Sequence, residues 1–374
     1  MKPWFAQYLL ILLALLLLTG CEQPSQTPAM GQLMGRGASD YAQVLPNQAL
    51  HFPADHLAHR QFRQEWWYLT ANLTTDSGEP LGLQWTQFRI ALNSQAPTNS
   101  SPWASNQLWM THAALTFSDS HQTAERWSRD IHANNAPAGV SGMPLSVWND
   151  NWRWQASNNG ADTANPNYGL LPARLQVTDA ELAYELQLSS QAPLVLQGDN
   201  GYSRKSADGK VASYYYSQPF IHVSGKVRRD GQWLNVSGDA WLDREWSSEF
   251  LTRQQQGWDW FAIRLADGSA LMLFQLRATE GQAPFYSGKR IWPDGHEQRI
   301  AAEQIQLKVS KWHKLADKRY PVAWQIDLPS EQLELQVEAL NNDARMPLSV
   351  SYWEGPIRVT GSQQGSGYLE LTGY

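Results

Sequence analysis

From Trp66 to the last residue, apolar side chains recur at every second position, turns are marked by Gly and Asp, and no stretch carries apolar residues at helical spacing over several turns. Successive side chains on a strand point to opposite faces, so this pattern restricts the chain to strands with one buried face each. The fold class is expected to be all-β. Trp66–Leu73, a turn through Thr75-Asp-Ser-Gly78, and Leu81–Leu92 read as a hairpin. Leu108–Phe117 supplies a further strand, and residues 134–167, rich in Asn, Gly, Ala and Pro around Trp148, Trp152 and Trp154, alternate loop with short strand. Glu181–Leu188 alternates without a break and assigns Leu182, Tyr184, Leu186 and Leu188 to the core.

Two internal echoes indicate a duplication. The first hairpin, with Gln87, Phe88 and Arg89 on its second strand, recurs as Trp258–Leu265, a turn at Asp267-Gly268, and Leu271–Arg277. Val223-Ser-Gly225 is followed by Val236-Ser-Gly238, and Val359-Thr-Gly361 by Leu371-Thr-Gly373, so each half ends on a similar pair of strands. A chain of 374 residues supports two cores of ordinary size. The charged, Gly-containing turn at Arg228–Gln232 places the boundary, giving domains 48–230 and 231–374. Meanders of this length close into barrels or sandwiches, which removes exposed edges, and a barrel of about eight strands has room for one small ligand. With 19 Trp, 14 Tyr and 10 Phe against 17% charged residues, much amphipathic aromatic surface is left for cores or for a pocket suited to an apolar or ring-shaped ligand. A net charge of −6 argues against nucleic acid as a partner.

Ahead of the β-pattern, Lys2 precedes an apolar run from Tyr8 to Leu18 and the sequence Leu18-Thr-Gly-Cys21. The run is too short to span a bilayer and suits the apolar region of a secretory signal. Residues 1–20 are therefore expected to be a lipoprotein signal peptide, with Cys21 acylated as a membrane anchor on the periplasmic side of the envelope. Glu22 favours the outer membrane over the inner. Cys21 is the sole cysteine, so no disulfide is expected. Residues 21–47, rich in Gln, Ser, Pro, Gly and Ala, read as a flexible tether.

Charge is concentrated beside tryptophan in Val236–Trp246. On a strand, Asp243 and Glu245 share one face, and Leu242, Arg244 and Trp246 share the other. Ionic groups in a poorly solvated place need partners, which leaves three readings. These are an Asp-Arg-Glu ion network beneath Trp246, recognition of a ligand by Arg244, and acid catalysis by Asp243 or Glu245 with a carboxyl pKa raised by burial. His222, flanked by Tyr214, Tyr215, Tyr216 and Phe220, is a further catalytic candidate, with the Tyr216 hydroxyl beside it, whereas His112 reads as a core histidine. Trp67, Trp241, Trp246, Trp258 and Trp260, together with Glu65, Arg89 and Arg244, form the candidate ligand-binding set. Asp55, His56, His59 and Glu65 lack the paired spacing of a metal site and are expected to lock the N-terminal segment over a barrel; no cofactor is implied. The sequence holds no Gly-x-Ser-x-Gly elbow and no phosphate loop, and its one cysteine is committed to the anchor, which argues against a serine or cysteine hydrolase.

Asp55-His56 ahead of Glu65-Trp-Trp-Tyr68, then Trp85-Thr-Gln-Phe-Arg89, Asp243-Arg-Glu-Trp246 and Gly367–Tyr374, in this order, resemble the AttH-like and hydroxyneurosporene synthase (carotenoid 1,2-hydratase) family from about Phe52 to the C-terminus. The resemblance implies a tandem of two lipocalin-like β-barrels and, in some relatives, the addition of water to carotenoids. The corresponding hydratase segment is similar to Asp-His-Asn-Trp, in which the histidine helps to protonate a double bond. Arg244 stands in that position here, and an arginine, protonated at any useful pH, cannot release a proton as a general acid. The family's later aspartate falls near Phe274 or Gln275. Bacterial members resemble companions of ABC-type export systems, so a transporter permease is an expected partner.

Two functions therefore stand side by side: an envelope lipoprotein that binds a hydrophobic small molecule or lipid, and an enzyme of the hydratase type acting on an isoprenoid or polyene by protonation and hydration or cyclisation. A structural adaptor is the third. The cavity discriminates among them. An isolated carboxylate in a pocket walled by Trp and Tyr favours catalysis, fully paired charges favour binding or structure, and filled barrels favour the adaptor.

Overall fold

The computed structural model describes residues 40–95, 98, 101, 104–130, 136–157 and 167–374. The expected signal peptide, the anchor at Cys21 and most of the tether lie outside the described residues. The described chain is all-β, with three single-turn 3-10 segments. The first sheet runs through β1 (Gln64–Thr75), β2 (Pro80–Ala91), β3 (Gln107–Phe117), β4 (His121–Arg129), β5 (Ala138–Ser141), β6 (Ser146–Asn149), β7 (Trp152–Ala156), β8 (Ala173–Thr178) and β9 (Ala183–Ser189), then β10 (Val195–Leu196), β11 (Tyr202–Arg204), β12 (Ala212–Arg229) and β13 (Gln232–Ser247). The second runs through β14 (Gln255–Leu265), β15 (Ala270–Ala278), β16 (Phe285–Ile291), β17 (Glu297–Ile300), β18 (Gln306–Leu315), β19 (Lys318–Leu328), β20 (Leu333–Ala339), β21 (Arg345–Met346), β22 (Tyr352–Gly361) and β23 (Gly365–Leu371).

Strand order in the first sheet is β4-β3-β2-β1-β13-β12-β9-β8-β7-β6-β5, and in the second β17-β16-β15-β14-β23-β22-β20-β19-β18. In each, a meander of early strands is followed by the closing hairpin, whose last strand pairs back onto the first. The sequence echoes thus have a structural counterpart. The first sheet nearly closes into a barrel: Asn149 on β6 donates to Thr111 Oγ1 on β3 at 2.9 Å and accepts from Ser128 Oγ on β4 at 2.7 Å. The second forms a half-barrel over its own core.

The boundary expected at 230/231 lies later. Asp230-Gly231 is the tight turn of the β12–β13 hairpin, with φ of 49° and 79° at the two residues, the left-handed geometry that Asp-Gly favours in hairpins. The chain crosses between sheets only from Ser247 to Gln255. The first barrel's interior also departs from the expectation of a ligand chamber. Trp67, Trp85, Trp109, Trp152 and Trp154 fill it with Leu182, Tyr184, Leu186 and Leu188, and the half-barrel is packed around Phe261, Trp324 and Trp353. Space for a ligand arises elsewhere. The outer face of β1, β12 and β13 meets the outer face of β14, β15, β22 and β23 through Tyr68, Tyr215, Trp241, Trp260, Phe274 and Tyr368.

Candidate functional site

Alternation on paired strands puts an aromatic residue and a carboxylate opposite each other on both facing sheets. In the first, Trp66 pairs with Glu245 and Tyr68 with Asp243; in the second, Trp260 pairs with Glu370, and Glu370 in turn with Glu354. Packed face to face, the sheets enclose a cavity that is open at its mouth. Asp243, Glu245, Glu354 and Glu370 line it together with Lys205. Its apolar wall is built from Trp66, Phe88, Phe250, Trp258, Trp260 and Phe274. Phe250 comes from the crossover between sheets and packs against Trp66 with the rings tilted and their centroids 4.3 Å apart.

The four carboxyls are in different electrostatic states. Asp243 Oδ1 accepts from Ser217 Oγ at 2.5 Å and Trp241 Nε1 at 2.7 Å, and Oδ2 accepts from Tyr215 Oη at 2.8 Å. Burial nevertheless pushes its pKa up to about 7, against those hydrogen bonds and helped by the charge of Glu245. Glu245 accepts from Ser213 and forms an ion pair with Lys205 Nζ at 2.7 Å. Glu354 is fully buried, and burial together with the neighbouring Glu370 lifts its carboxyl well above the usual range. Glu354 Oε1 accepts from Tyr68 Oη at 2.6 Å, and the Tyr352 hydroxyl is a second hydrogen-bonding neighbour of the same carboxyl. Burial, with Asp243 and Glu245 nearby, raises Glu370 to about 8. Glu370 keeps some exposed surface, but it lines the cavity, so that surface is not evidence of full hydration. Two carboxylates directly opposed across a strand pair cannot both ionise cheaply in such a place. At neutral pH the cavity therefore holds protonated carboxyls beside aromatic faces.

The opposite face of the same strands gathers another set. Arg244 Nη2 and Arg89 Nε both bond to the Glu65 carboxylate, and all three side chains are sealed from solvent. Burial alone would raise Glu65, yet the two guanidiniums hold it well below the usual carboxylate range. The Arg244 guanidinium lies 3.8 Å from the centroid of Trp67 and 5.0 Å from that of Trp246. His59 stacks on Trp246 at 3.9 Å, and its backbone N–H donates to Glu65 at 2.9 Å. Trp67 Nε1 donates to the His56 carbonyl at 3.0 Å, and Arg244 Nη2 to that of Leu57 at 2.7 Å. This cluster fastens residues 56–65 across the end of the first barrel.

The sequence-derived site residues thus divide by face. Asp243, Glu245, Trp258 and Trp260 line the cavity, and Trp241 stands behind Asp243. The ligand-binding expectation for Arg244, Trp246, Glu65, Trp67 and Arg89 is corrected: their face points into the filled barrel. Tyr216 is there too, with its hydroxyl 2.6 Å from His56 Nδ1. His222 is corrected as well. A bulge between Gln218 and Ile221 reverses the alternation of β12, so Ile221 enters the core and the His222 side chain is left 77% exposed, 3.2 Å from Asp239. Among the described residues no His, Cys, Asp and Glu group has the makings of a metal site. Tyr68, Lys205, Phe250, Tyr352, Glu354 and Glu370 entered no sequence-derived site. The alternation of Tyr368-Leu-Glu370-Leu, which sets Glu370 opposite two buried leucines, was the available signal.

The family model for AttH-like proteins matches residues 43–374. The chain belongs to the AttH-like family. A crystal structure of a Nitrosomonas europaea protein described as an AttH is 35% identical to it, covering 89% of this chain and 99% of that one with a TM-score of 0.78. Kievitone hydratase from Nectria haematococca is 12% identical, covering 91% of this chain and 98% of its own with a TM-score of 0.63; at that identity the fold alone is shared. Among curated proteins there is no significant match. In this AttH-like chain the position expected to hold the hydratase histidine is Arg244, which is sealed from solvent on the face away from the cavity.

Proposed function

We propose that the inter-barrel cavity binds an apolar, unsaturated molecule of the isoprenoid or polyene kind and adds a proton to one of its double bonds. The observation that carries this reading is Glu354, a fully buried carboxyl set directly opposite a second carboxyl, Glu370, in a cavity walled by tryptophan. A binding protein has no need of a buried acid set against a second carboxyl, which costs stability. A general acid requires one with its pKa near or above the working pH.

In the proposed reaction the carboxyl O–H gives its proton to one alkene carbon, and the π pair becomes the new C–H bond. The neighbouring carbon is left cationic, and the faces of Trp66, Trp258 and Trp260 stabilise it. Water attacks that carbon through an oxygen lone pair, and the carboxylate just formed, or Asp243, takes the surplus proton. The sum is alkene plus water giving an alcohol; attack by a second double bond in place of water closes a ring and leaves that bond's other carbon cationic, and loss of a proton from the adjacent carbon to the carboxylate completes the step. We also propose that the protein is held at the envelope through Cys21, which the motif at Leu18–Cys21 supports, and that it serves an ABC-type export system, as the family resemblance implies.

The test is incubation with acyclic isoprenoid alkenes in deuterium oxide. Deuterium on carbon together with a new hydroxyl is expected, falling roughly 100-fold or more in Glu354→Gln. Tight binding without any deuterium on carbon would instead leave the protein a carrier.

A further inference from the structure

Lys205 is the one cation among the described residues that line the cavity. It stands on the loop after β11, is 6% exposed, and rests its ammonium 5.2 Å from the ring centroid of Tyr215 and 4.6 Å from that of Phe274. An ammonium carries three N–H donors. Glu245 Oε1 takes one at 2.7 Å and Ser203 Oγ another at 3.2 Å. The third has no acceptor among the described residues. Elsewhere in the cavity the hydroxyl protons of Tyr68 and Tyr215 go to Glu354 and Asp243, and Tyr352 Oη lies 3.0 Å from His112 Nδ1. Lys205 is thus the charged donor left with a bond to give, at a wall otherwise made of rings.

We infer that Lys205 anchors the oxygen of a neutral alcohol or ketone group on the cavity's ligand. This rests on the cavity being the ligand site and narrows the substrate to an oxygen-bearing unsaturated molecule. Neutrality follows from the charges around it. Glu245 already balances Lys205, the one cation among the described lining residues, so a ligand carboxylate would bring in a negative charge without a second cation to meet it. A plain hydrocarbon would leave the third N–H unsatisfied.

The experiment measures the affinity of the intact chain for four isoprenoids of the farnesyl series, by quenching of tryptophan fluorescence: farnesene (hydrocarbon), farnesol (alcohol), farnesylacetone (ketone) and farnesoate (carboxylate). Alcohol and ketone are expected to bind about tenfold or more tighter than hydrocarbon and carboxylate, and Lys205→Met is expected to abolish that preference while the hydrocarbon's affinity stays within about threefold. The double variant Lys205→Met/Glu245→Gln leaves no orphaned carboxylate and covers a single variant that fails to fold. Equal binding of ketone and hydrocarbon, a preference that survives in the variants, or binding of none of the four would overturn the inference. Preference without turnover would count against the acid chemistry and leave the anchor standing.

Discussion

Glu370 and Glu354 face each other on β23 and β22, and that opposition makes their protonation a property of the pair. Glu370, raised to about 8 in the folded protein, stands well above the value of about 4.3 for an unfolded Glu. Between those pH values the folded protein retains a proton that the unfolded chain has released, so stability falls as pH rises through the window and then levels. Glu370→Gln removes that loss. Its stability is expected to match wild type near pH 4 and to exceed it near pH 9 by roughly 2 kcal/mol, as read by urea denaturation; a constant difference at both pH values would refute the assignment. Arg244 illustrates the opposite case. Removing it strips the sealed Glu65 of one of two guanidiniums, so Arg244→Met is expected to cost roughly 3 kcal/mol while leaving the cavity's ligand affinity unchanged. A cost near zero, or a lost ligand, would return Arg244 to the binding set.

A single strand, β13, carries both clusters because its odd and even positions face different partners. The separation of Asp243 and Glu245 from Arg244 was legible from alternation alone. Which face would be dry and which would line a cavity was not, because a second sheet covers the outer face and that sheet begins only at Gln255. The same non-local packing hid Glu354 and Glu370, each of which reads locally as an outward-facing residue of a half-buried strand. His222 was misread for a local reason: the bulge after Gln218 shifts parity, and nothing in Gln218-Pro-Phe220 announces by how much. The Val-Ser-Gly echoes were legible, and their cause is steric. A Cβ on Gly238 would stand 2.2 Å from the Asn72 carbonyl oxygen, and one on Gly225 2.1 Å from that of Glu185, so glycine is what lets β13 and β12 approach their neighbours. Gly238→Ala is expected to cost about 1–3 kcal/mol and to lower hydrogen-exchange protection along the β1–β13 ladder. Protection unchanged there would contradict the account.

The two barrels act as one because their junction is polar and packed at once. Tyr68 bonds to Glu354, Asn72 Nδ2 to the Gly367 carbonyl at 2.9 Å, and Arg264 Nη2 to the Pro219 carbonyl at 2.7 Å. Gly82 lies so close to Pro356 that a Cβ there would be 2.5 Å from the proline Cγ. Gly82→Val is therefore expected to wedge the barrels apart and weaken farnesol binding at least tenfold with little change in far-ultraviolet circular dichroism; unchanged affinity would mean that the junction does not shape the cavity. The central claim is that this junction holds neutral carboxylic acids at neutral pH. A carbon-13 titration of the Asp and Glu side-chain carboxyls tests it most directly. The account predicts resonances with midpoints near 7 and 8, of which Asp243→Asn removes the first and Glu370→Gln the second. If every carboxyl in the protein titrates below about 5, in the ordinary carboxylate range, the cavity holds no acid and the account is wrong.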